Sequence, residues 1–94
     1  MKQSKKRHIS DLDIIVGINL RKIRIDKGYT QKNLARCAGI TYQQIQKQED
    51  GKNRINSVQL YEYSIILKTP IKSFFEGVSA LARQRIRERM NTLG

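Results

Sequence analysis

The sequence predicts an all-α fold, built as one small domain with basic segments at both ends. Apolar residues recur at the three- and four-residue spacing of helices, and no stretch alternates apolar and polar residues as a strand would. Capping residues and glycines bracket the periodic segments, as they do at helix starts and ends. A chain of 94 residues has room for one small core, and dimerisation is one way to stabilise it further.

The charge balance predicts a polyanionic partner. Nineteen Lys and Arg residues against eight Asp and Glu give a net charge of +11, which favours nucleic acid first and an anionic membrane second. Residues 1–9 hold four basic residues and no acid, and residues 78–94 hold four arginines and one glutamate. The chain therefore divides into a basic flexible arm (1–9), a central domain (10–77) and a C-terminal amphipathic helix (78–94). The arm is expected either to follow DNA phosphates or a minor groove, or to be a solvated tail.

Neither a membrane-spanning segment nor an internal disulfide bond is predicted. No apolar run approaches the ~18 residues that span a bilayer, and polar Ser10, Asp11 and Asp13 interrupt the region where a signal peptide would be apolar. We therefore expect a cytoplasmic protein. The single cysteine, Cys37, allows no internal disulfide and no Cys-based metal cage. Its place on the apolar side of a predicted helix predicts a buried small hydrophobe, with a redox switch as the alternative.

The first helix is predicted over residues 10–27. Ser10 and Asp13 form an S-x-x-D start signal, and Gly28 ends the helix. The predicted apolar residues are Ile14, Ile15, Ile18, Leu20, Ile23 and Ile25. Gly17 inside the helix costs roughly 1 kcal/mol relative to Ala, and a close contact with another helix would explain its presence.

The centre of the chain predicts two short helices joined by a tight turn. Thr30 caps the first helix, and Gly39 can take the left-handed φ that ends it. Thr41 caps the second helix, and Gln44 completes a T-x-x-Q capping box. Gly51 supplies the C-terminal end of that second helix.

The second of these helices suits a groove better than a core. Its only aliphatic residue is Ile45. Its exposed side is predicted to carry Tyr42, Gln43, Gln46 and Lys47. Gln amides can donate and accept in pairs on base edges, above all on adenine, and Lys can reach guanine or a phosphate.

Three further helices are predicted. Asn56 and Gln59 form the start signal of the next helix. Thr69 and Pro70 predict a restart, with Thr69 as the cap and Pro70 at the first helical position. The short helix that follows carries two phenylalanines, expected as core or dimer contacts. The last helix is predicted over residues 79–93.

An apolar stripe is predicted along the last helix. Its members are Val78, Ala82, Ile86, Met90 and Leu93. The domain before this helix already looks complete, so we expect the stripe to pack against a second copy. Packing on its own domain, or fraying, is the alternative.

These residues resemble the phage repressor and Cro type of helix-turn-helix domain, in the xenobiotic-response-element family of small regulators. The matching positions are Gly17, Leu20, Ile23, Arg24, Tyr29, Thr30, Gln31, Leu34, Ala35, Gly39, Ile40, Thr41, Ile45, Glu49, Gly51, Leu60 and Pro70 to Phe75. The resemblance covers residues 17–75. It implies a five-helix, lambda-repressor-like DNA-binding domain, here with an extra C-terminal helix.

The resemblance also implies roles for individual residues. The positions implied to contact bases are Tyr42, Gln43 and Lys47, with Gln46 at the margin. The positions implied to contact phosphates are Gln31, Lys32, Lys52, Asn53 and Arg54. Arg24 and Glu49 match a structural ion pair of the family. No catalytic residue, metal or cofactor is implied.

Three positions depart from the family pattern. Gln48 lies where relatives carry an aromatic or aliphatic residue. Lys68 replaces the usual Gly after the fourth helix, and Ile55 replaces a common Pro. None of the three touches the predicted base-reading surface.

The leading functional hypothesis is a sequence-specific, double-stranded-DNA-binding transcriptional regulator. It would be a homodimer, most often a repressor in such families, on a palindromic operator. The alternative is an antitoxin, or another partner-binding protein, that autoregulates through the same domain. An enzyme is not expected, because the sequence offers no paired carboxylates, His cluster, phosphate-binding Gly loop or nucleophile elbow. RNA binding is disfavoured because no RNA-recognition pattern is present.

Overall fold

The computed structural model describes residues 9–93, which form five α-helices and one 3₁₀ helix. The elements in chain order are α1 (Asp11–Asp26), α2 (Gln31–Ala38), α3 (Tyr42–Glu49), α4 (Ser57–Ile66), the 3₁₀ helix (Ile71–Phe75) and α5 (Ser79–Leu93). No strand occurs within residues 9–93, and the predicted all-α fold class is confirmed. The arm predicted for residues 1–9 lies outside the described residues except for Ile9.

The first four α-helices begin at the side-chain caps that the sequence predicts. In three of them a full capping box satisfies N–H groups that have no partner within the helix. The three pairs are Ser10–Asp13, Thr41–Gln44 and Asn56–Gln59. At the start of α2, the Thr30 hydroxyl accepts from the Asn33 N–H at 3.0 Å. These starts are predictable because a cap and its partner lie within four residues.

The predicted restart at Thr69 and Pro70 was wrong in its details. The Thr69 hydroxyl donates to the Leu67 carbonyl at 2.8 Å, so it closes the end of α4 and does not cap the next helix. Pro70 precedes the helix with ψ 142°, and its carbonyl accepts from the Ser73 N–H at 2.9 Å. That three-residue spacing gives a 3₁₀ helix, which places Phe74 in the core.

Helix α4 ends at a residue whose backbone conformation normally favours glycine. Lys68 has φ 49° and is the only non-glycine residue within residues 9–93 in the left-handed region. Its N–H donates to the Ile65 carbonyl at 3.2 Å, and the Thr69 N–H donates to the Ser64 carbonyl at 3.0 Å. This is the Schellman arrangement, and at Lys68 it is formed without the residue that suits it best.

One hydrophobic core joins all of the elements. Its fully buried side chains are Leu20, Leu34, Ile45, Tyr63, Leu67 and Phe74. Val78, just before α5, is buried in the same core, and Ala82 packs against it. The beginning of α5 is therefore attached to the domain, whereas the rest of this helix buries no residue.

Helix α1 buries only part of the predicted apolar set, of which Leu20 is buried and Ile15 and Ile23 pack against the core. Val16, Asn19 and Leu20 are buried. The predicted apolar residues that are instead exposed are Ile14, Ile18 and Ile25. Asn19 can be buried because its Nδ2 donates to the carbonyls of Phe74 and Glu76, both at 2.9 Å. A polar residue with satisfied hydrogen bonds therefore takes a core position, which a count of apolar spacing cannot anticipate.

The predicted burial of Cys37 was also wrong. Its side chain is exposed, while Leu34 and Ala35 are buried and Ala38 is half-buried. Helix α2 has only eight residues, and it buries the side that carries those three residues. Cys37 lies beside that strip and faces away from the core.

Candidate nucleic-acid interface

A tight turn sets α3 against α2. Gly39 has φ 70° and ends α2, and the Ile40 N–H donates to the Ala35 carbonyl at 3.1 Å. The Ala35 side chain is buried where the two helices meet, and its small size permits their close approach. The half-buried Ile40 packs against the core beside the buried Ile45. As the sequence predicts, these two isoleucines hold α3 against the rest of the domain.

Helix α3 buries one side and exposes the other. Its buried residues are Ile45, Gln48 and Glu49. Its exposed residues include Tyr42, Gln43, Gln46 and Lys47. All four residues predicted to contact bases therefore lie on the exposed part of one helix, and hydrophobic anchoring occurs only on the opposite side.

Tyr42 contacts a basic residue of α2. The Lys32 Nζ lies 5.2 Å from the centroid of the Tyr42 ring, within cation–π range, which at an exposed site contributes roughly 0.5–1 kcal/mol. This contact links a predicted phosphate-contacting residue to the first predicted base-contacting residue. The contact therefore keeps the Lys32 ammonium group and the Tyr42 ring close together at the start of α3.

A buried ion pair joins α1 to the end of α3. Arg24 Nε donates to Glu49 Oε2 at 2.6 Å, and Arg24 Nη2 donates to Glu49 Oε1 at 3.0 Å. Arg24 Nη1 also donates to the Tyr29 carbonyl at 2.8 Å. The Glu49 side chain is fully buried, so these bonds replace the water that its carboxylate would lose.

Gln31 belongs to the same network. Its Nε2 donates to Glu49 Oε1 at 3.0 Å, so its side chain ties the start of α2 to the end of α3. From the sequence, Gln31 was predicted only as a phosphate contact. Its backbone N–H lies at a helix N-terminus, which attracts anions irrespective of the side chain.

The loop after α3 carries three more predicted phosphate-contacting residues, all of them exposed: Lys52, Asn53 and Arg54. The N–H groups of Lys52 and Asn53 both donate to the Lys47 carbonyl, at 2.8 and 3.2 Å. Arg54 Nε lies 3.3 Å from Asp13 Oδ2, which connects the loop to the start of α1. The loop is therefore held against the end of the helix that carries the predicted base contacts.

Two open grooves lie along α3, and their linings include two residues that the sequence interpretation did not propose as DNA contacts. One groove is lined by Arg21, Gln31, Lys32, Tyr42 and Gln46, among others. The other is lined by Gln44, Gln48, Lys52, Asn53, Arg54 and Gln59, together with Ile9. Arg21 and Gln44 are the additions. Arg21 lies one helical turn before Arg24, and this spacing could have identified Arg21 as a candidate from the sequence.

Gln48 forms a polar contact between α3 and α4. Its Oε1 accepts from the Tyr63 hydroxyl at 2.7 Å, and its Nε2 donates to Gln59 Oε1 at 2.9 Å. Burial raises the pKa of Tyr63 to about 12. Gln59 also belongs to the capping box of α4, so Gln48 links the end of α3 to the start of the next helix. The departure from the family pattern at this position is therefore accommodated by hydrogen bonds.

Within residues 9–93, no group of three or more His, Cys, Asp or Glu side chains could hold a metal ion. None of the helices in that range combines the length and the apolar character needed to cross a membrane. The features concentrated around α3 are instead amides, one aromatic ring and basic side chains.

The chain matches a known domain family and several regulators. A sequence model of the Cro/C1-type HTH DNA-binding domain matches residues 19–76. An uncharacterized HTH-type transcriptional regulator of Sinorhizobium medicae is 42% identical over 71 residues, which cover 76% of this chain and 51% of the relative. An uncharacterized transcriptional regulator in the ATPase CF(0) region of Rhodospirillum rubrum is 41% identical over 75 residues, covering 80% and 69%. The chain thus spans about half the length of the Sinorhizobium relative.

Solved structures share the fold. The clp gene regulator ClgR of Corynebacterium glutamicum superposes with a TM-score of 0.66 at 25% identity, covering 69% of this chain and 84% of that one. The restriction-modification controller protein C.AhdI of Aeromonas hydrophila superposes with a TM-score of 0.63 at 24% identity, covering 66% and 94%. Both therefore share the fold of this chain over the superposed parts.

Proposed function

The chain belongs to the Cro/C1-type helix-turn-helix family of DNA-binding domains, and from that premise we propose that it acts as a homodimeric transcriptional repressor. Each subunit inserts α3 into the major groove of a palindromic operator. The observation that carries this proposal is the division of α3, whose buried side anchors it to the core while its exposed side presents amides, a tyrosine and a lysine.

In this proposal the exposed residues of α3 read the bases. Gln43 and Gln46 offer paired donors and acceptors that match adenine edges, and Lys47 can donate to guanine. Tyr42 has a bulky ring that suits a thymine methyl or a sugar. Lys32 supports that ring through its cation–π contact.

Phosphate contacts on both sides of α3 set the register on the duplex. The proposed contacts are Gln31, Lys32, Lys52, Asn53 and Arg54, to which we add Arg21. Such contacts supply affinity that depends on salt and carry no sequence information themselves. Basic side chains line both grooves along α3, with Arg21 and Lys32 in one and Lys52 and Arg54 in the other, and their position supports the proposed phosphate contacts.

The proposed dimer follows from the need to read two half-sites. A two-fold symmetric pair of subunits places its reading helices in successive major grooves, about one helical turn apart. The uncovered apolar residues of α5 support self-association of the chain. The second candidate is a partner-binding protein that autoregulates through the same domain. The exposed apolar residues of α5 favour it if they bind a different chain.

Selection from a random duplex DNA pool at about 150 mM salt tests the proposal, because this salt concentration suppresses purely electrostatic binding. We expect enrichment of a palindrome with half-sites about ten base pairs apart, centre to centre. A triple variant with alanine at Gln43, Gln46 and Lys47 serves as the control and should enrich no sequence. If the unaltered chain enriches nothing and its binding disappears as salt rises, the operator-binding proposal is wrong.

A further inference from the structure

An apolar stripe lies uncovered along α4. Val58, Tyr61 and Ile65 are 65%, 57% and 58% exposed. Their spacing of three and four residues places them on one side of the helix. The buried residues of the same helix, Leu60 and Tyr63, face the core. A contiguous apolar stripe on the surface of a small domain is typical of an interaction site.

A second uncovered stripe lies along α5. Ile86, Met90 and Leu93 are 50%, 63% and 87% exposed, and they share one side of that helix by the same spacing rule. The start of α5 is held in place by the buried Val78. The α5 stripe therefore extends from an anchored helix, and no side chain of residues 9–93 buries it.

The charges of α5 oppose its pairing with α5 of another copy. The helix carries four arginines and a single acidic residue, Glu88. Arg83 and Arg89 lie three residues before and after Ile86, so they border the apolar stripe on its two sides. If two such stripes faced each other, arginines would lie opposite arginines, and like charges brought together at an interface are costly.

The charges of α4 are complementary to those of α5. Glu62 is the only charged residue of α4, and it borders the stripe next to Tyr61. An arginine can pair with its carboxylate or lie over the tyrosine ring. Each stripe also covers eight residues from its first member to its last, which is roughly 10 Å along a helix. The two stripes therefore match in length as well as in charge.

We propose that the α4 stripe is the docking site for α5 of a second copy of this chain, and that two copies exchange this contact reciprocally. The inference rests on the homodimer of the proposed function and specifies its interface. A reciprocal exchange satisfies two-fold symmetry. This exchange covers both apolar stripes in each subunit. It also places the arginines of each α5 against an α4 that carries no basic residue.

Cross-linking between two single-cysteine variants tests this docking. Cys37 is exposed, so both variants first carry Cys37→Ser. One then carries Tyr61→Cys and the other Met90→Cys, at positions exposed enough to tolerate the change. Each variant is oxidised alone and in an equimolar mixture, and sedimentation of the unaltered chain at micromolar concentration, without DNA, measures its oligomeric state.

We expect a dimer in sedimentation and a disulfide that forms efficiently only in the mixture, linking one chain of each variant. A Met90→Cys variant that cross-links to itself would establish α5–α5 pairing and overturn the docking. Self-linking of Tyr61→Cys would overturn it in favour of α4–α4 pairing. A dimer without any cross-link would also overturn it. A monomer would overturn both the docking and the homodimer of the proposed function, while sequence-specific DNA binding is measured separately.

Discussion

Gly17 in α1 lies directly against the backbone carbonyl of Gln48 in α3, so closely that a Cβ at residue 17 would overlap that oxygen. The glycine is required by this approach of two helices and not by its own backbone conformation. Because α3 carries the proposed base-reading residues, this contact helps to set how far that helix stands from the body of the domain.

Replacement of Gly17 by alanine should therefore destabilise the protein, although the same change within an ordinary helix stabilises it by roughly 1 kcal/mol. The Cβ has to displace the backbone of α3, and overpacking of this kind costs about 1–3 kcal/mol. Urea denaturation measures the change. Lys22→Ala, on the exposed side of the same helix, is the control and should change stability by less than about 0.5 kcal/mol. A Gly17→Ala variant as stable as the control would contradict the close contact.

Removal of the Glu49 charge should be strongly destabilising. Glu49→Gln leaves Arg24 buried without its counter-charge, which costs about 3–5 kcal/mol. Thermal unfolding at neutral pH measures the loss. Arg85→Gln provides the matched control, because Arg85 pairs with Asp11 on the surface at 3.1 Å and such pairs contribute less than about 1 kcal/mol. Equal losses in the two variants would show that burial does not distinguish the two ion pairs.

The contact between Tyr63 and Gln48 should appear as a coupling energy. Tyr63→Phe leaves the buried Gln48 Oε1 without a donor, at a cost of about 1–3 kcal/mol. Adding Gln48→Leu removes the unsatisfied acceptor, so the double variant should lose less than the sum of the two single variants. Tyr61→Phe is the control, since that hydroxyl is on an exposed residue. Strict additivity in the cycle would mean that the two side chains do not interact.

Alkaline pH should weaken the fold through Tyr63. Its pKa is raised to about 12 by burial, whereas a tyrosine of the unfolded chain loses its proton near pH 10. The folded state therefore binds more protons than the unfolded state between these values, and its stability falls as pH rises from about 10 to 12. Denaturation across this interval should show a smaller fall for Tyr63→Phe. If both proteins lose stability in parallel, Tyr63 does not carry the effect.

Two variants should distinguish the residues that read bases from those that bind phosphates. Gln43→Ala should cost about 1–3 kcal/mol at one base position of the selected operator and little on other sequences. Lys52→Ala should weaken binding to all sequences and reduce the dependence of log affinity on log salt by about one unit. Titrations on matched and singly substituted duplexes, at several salt concentrations, measure both effects. If Gln43→Ala lost the same affinity on every duplex, Gln43 would contact phosphates and not bases.

The local features of the chain were predictable from sequence because their causes are local. The capping boxes at Ser10, Thr41 and Asn56 require partners three residues away, and they form as predicted. The exposed row on α3 follows from its composition, in which Ile45 is the only aliphatic residue. The proposed DNA-reading residues were therefore identifiable without a structure.

The errors have different origins, and only the burial of Asn19 depends on distant partners. Asn19 is buried because carbonyls more than 50 residues later accept its hydrogen bonds, and no pattern within α1 announces them. Cys37 follows helical periodicity but lies beside the narrow strip that the short α2 buries. Thr69 gives its hydroxyl to the end of α4 and not to the next helix.

The sequence by itself determined the helical fold class, the starts of α1 to α4 and the row of polar side chains on α3, because spacing and capping act over a few residues. The tertiary structure alone decided which predicted apolar residues of α1 are buried, which helix Gly17 contacts and how Gln48 is accommodated. It also decided that Gln31 joins the buried pair of Arg24 and Glu49. These properties depend on atoms brought together from distant parts of the chain, where close packing and the need to satisfy buried polar groups act only after folding.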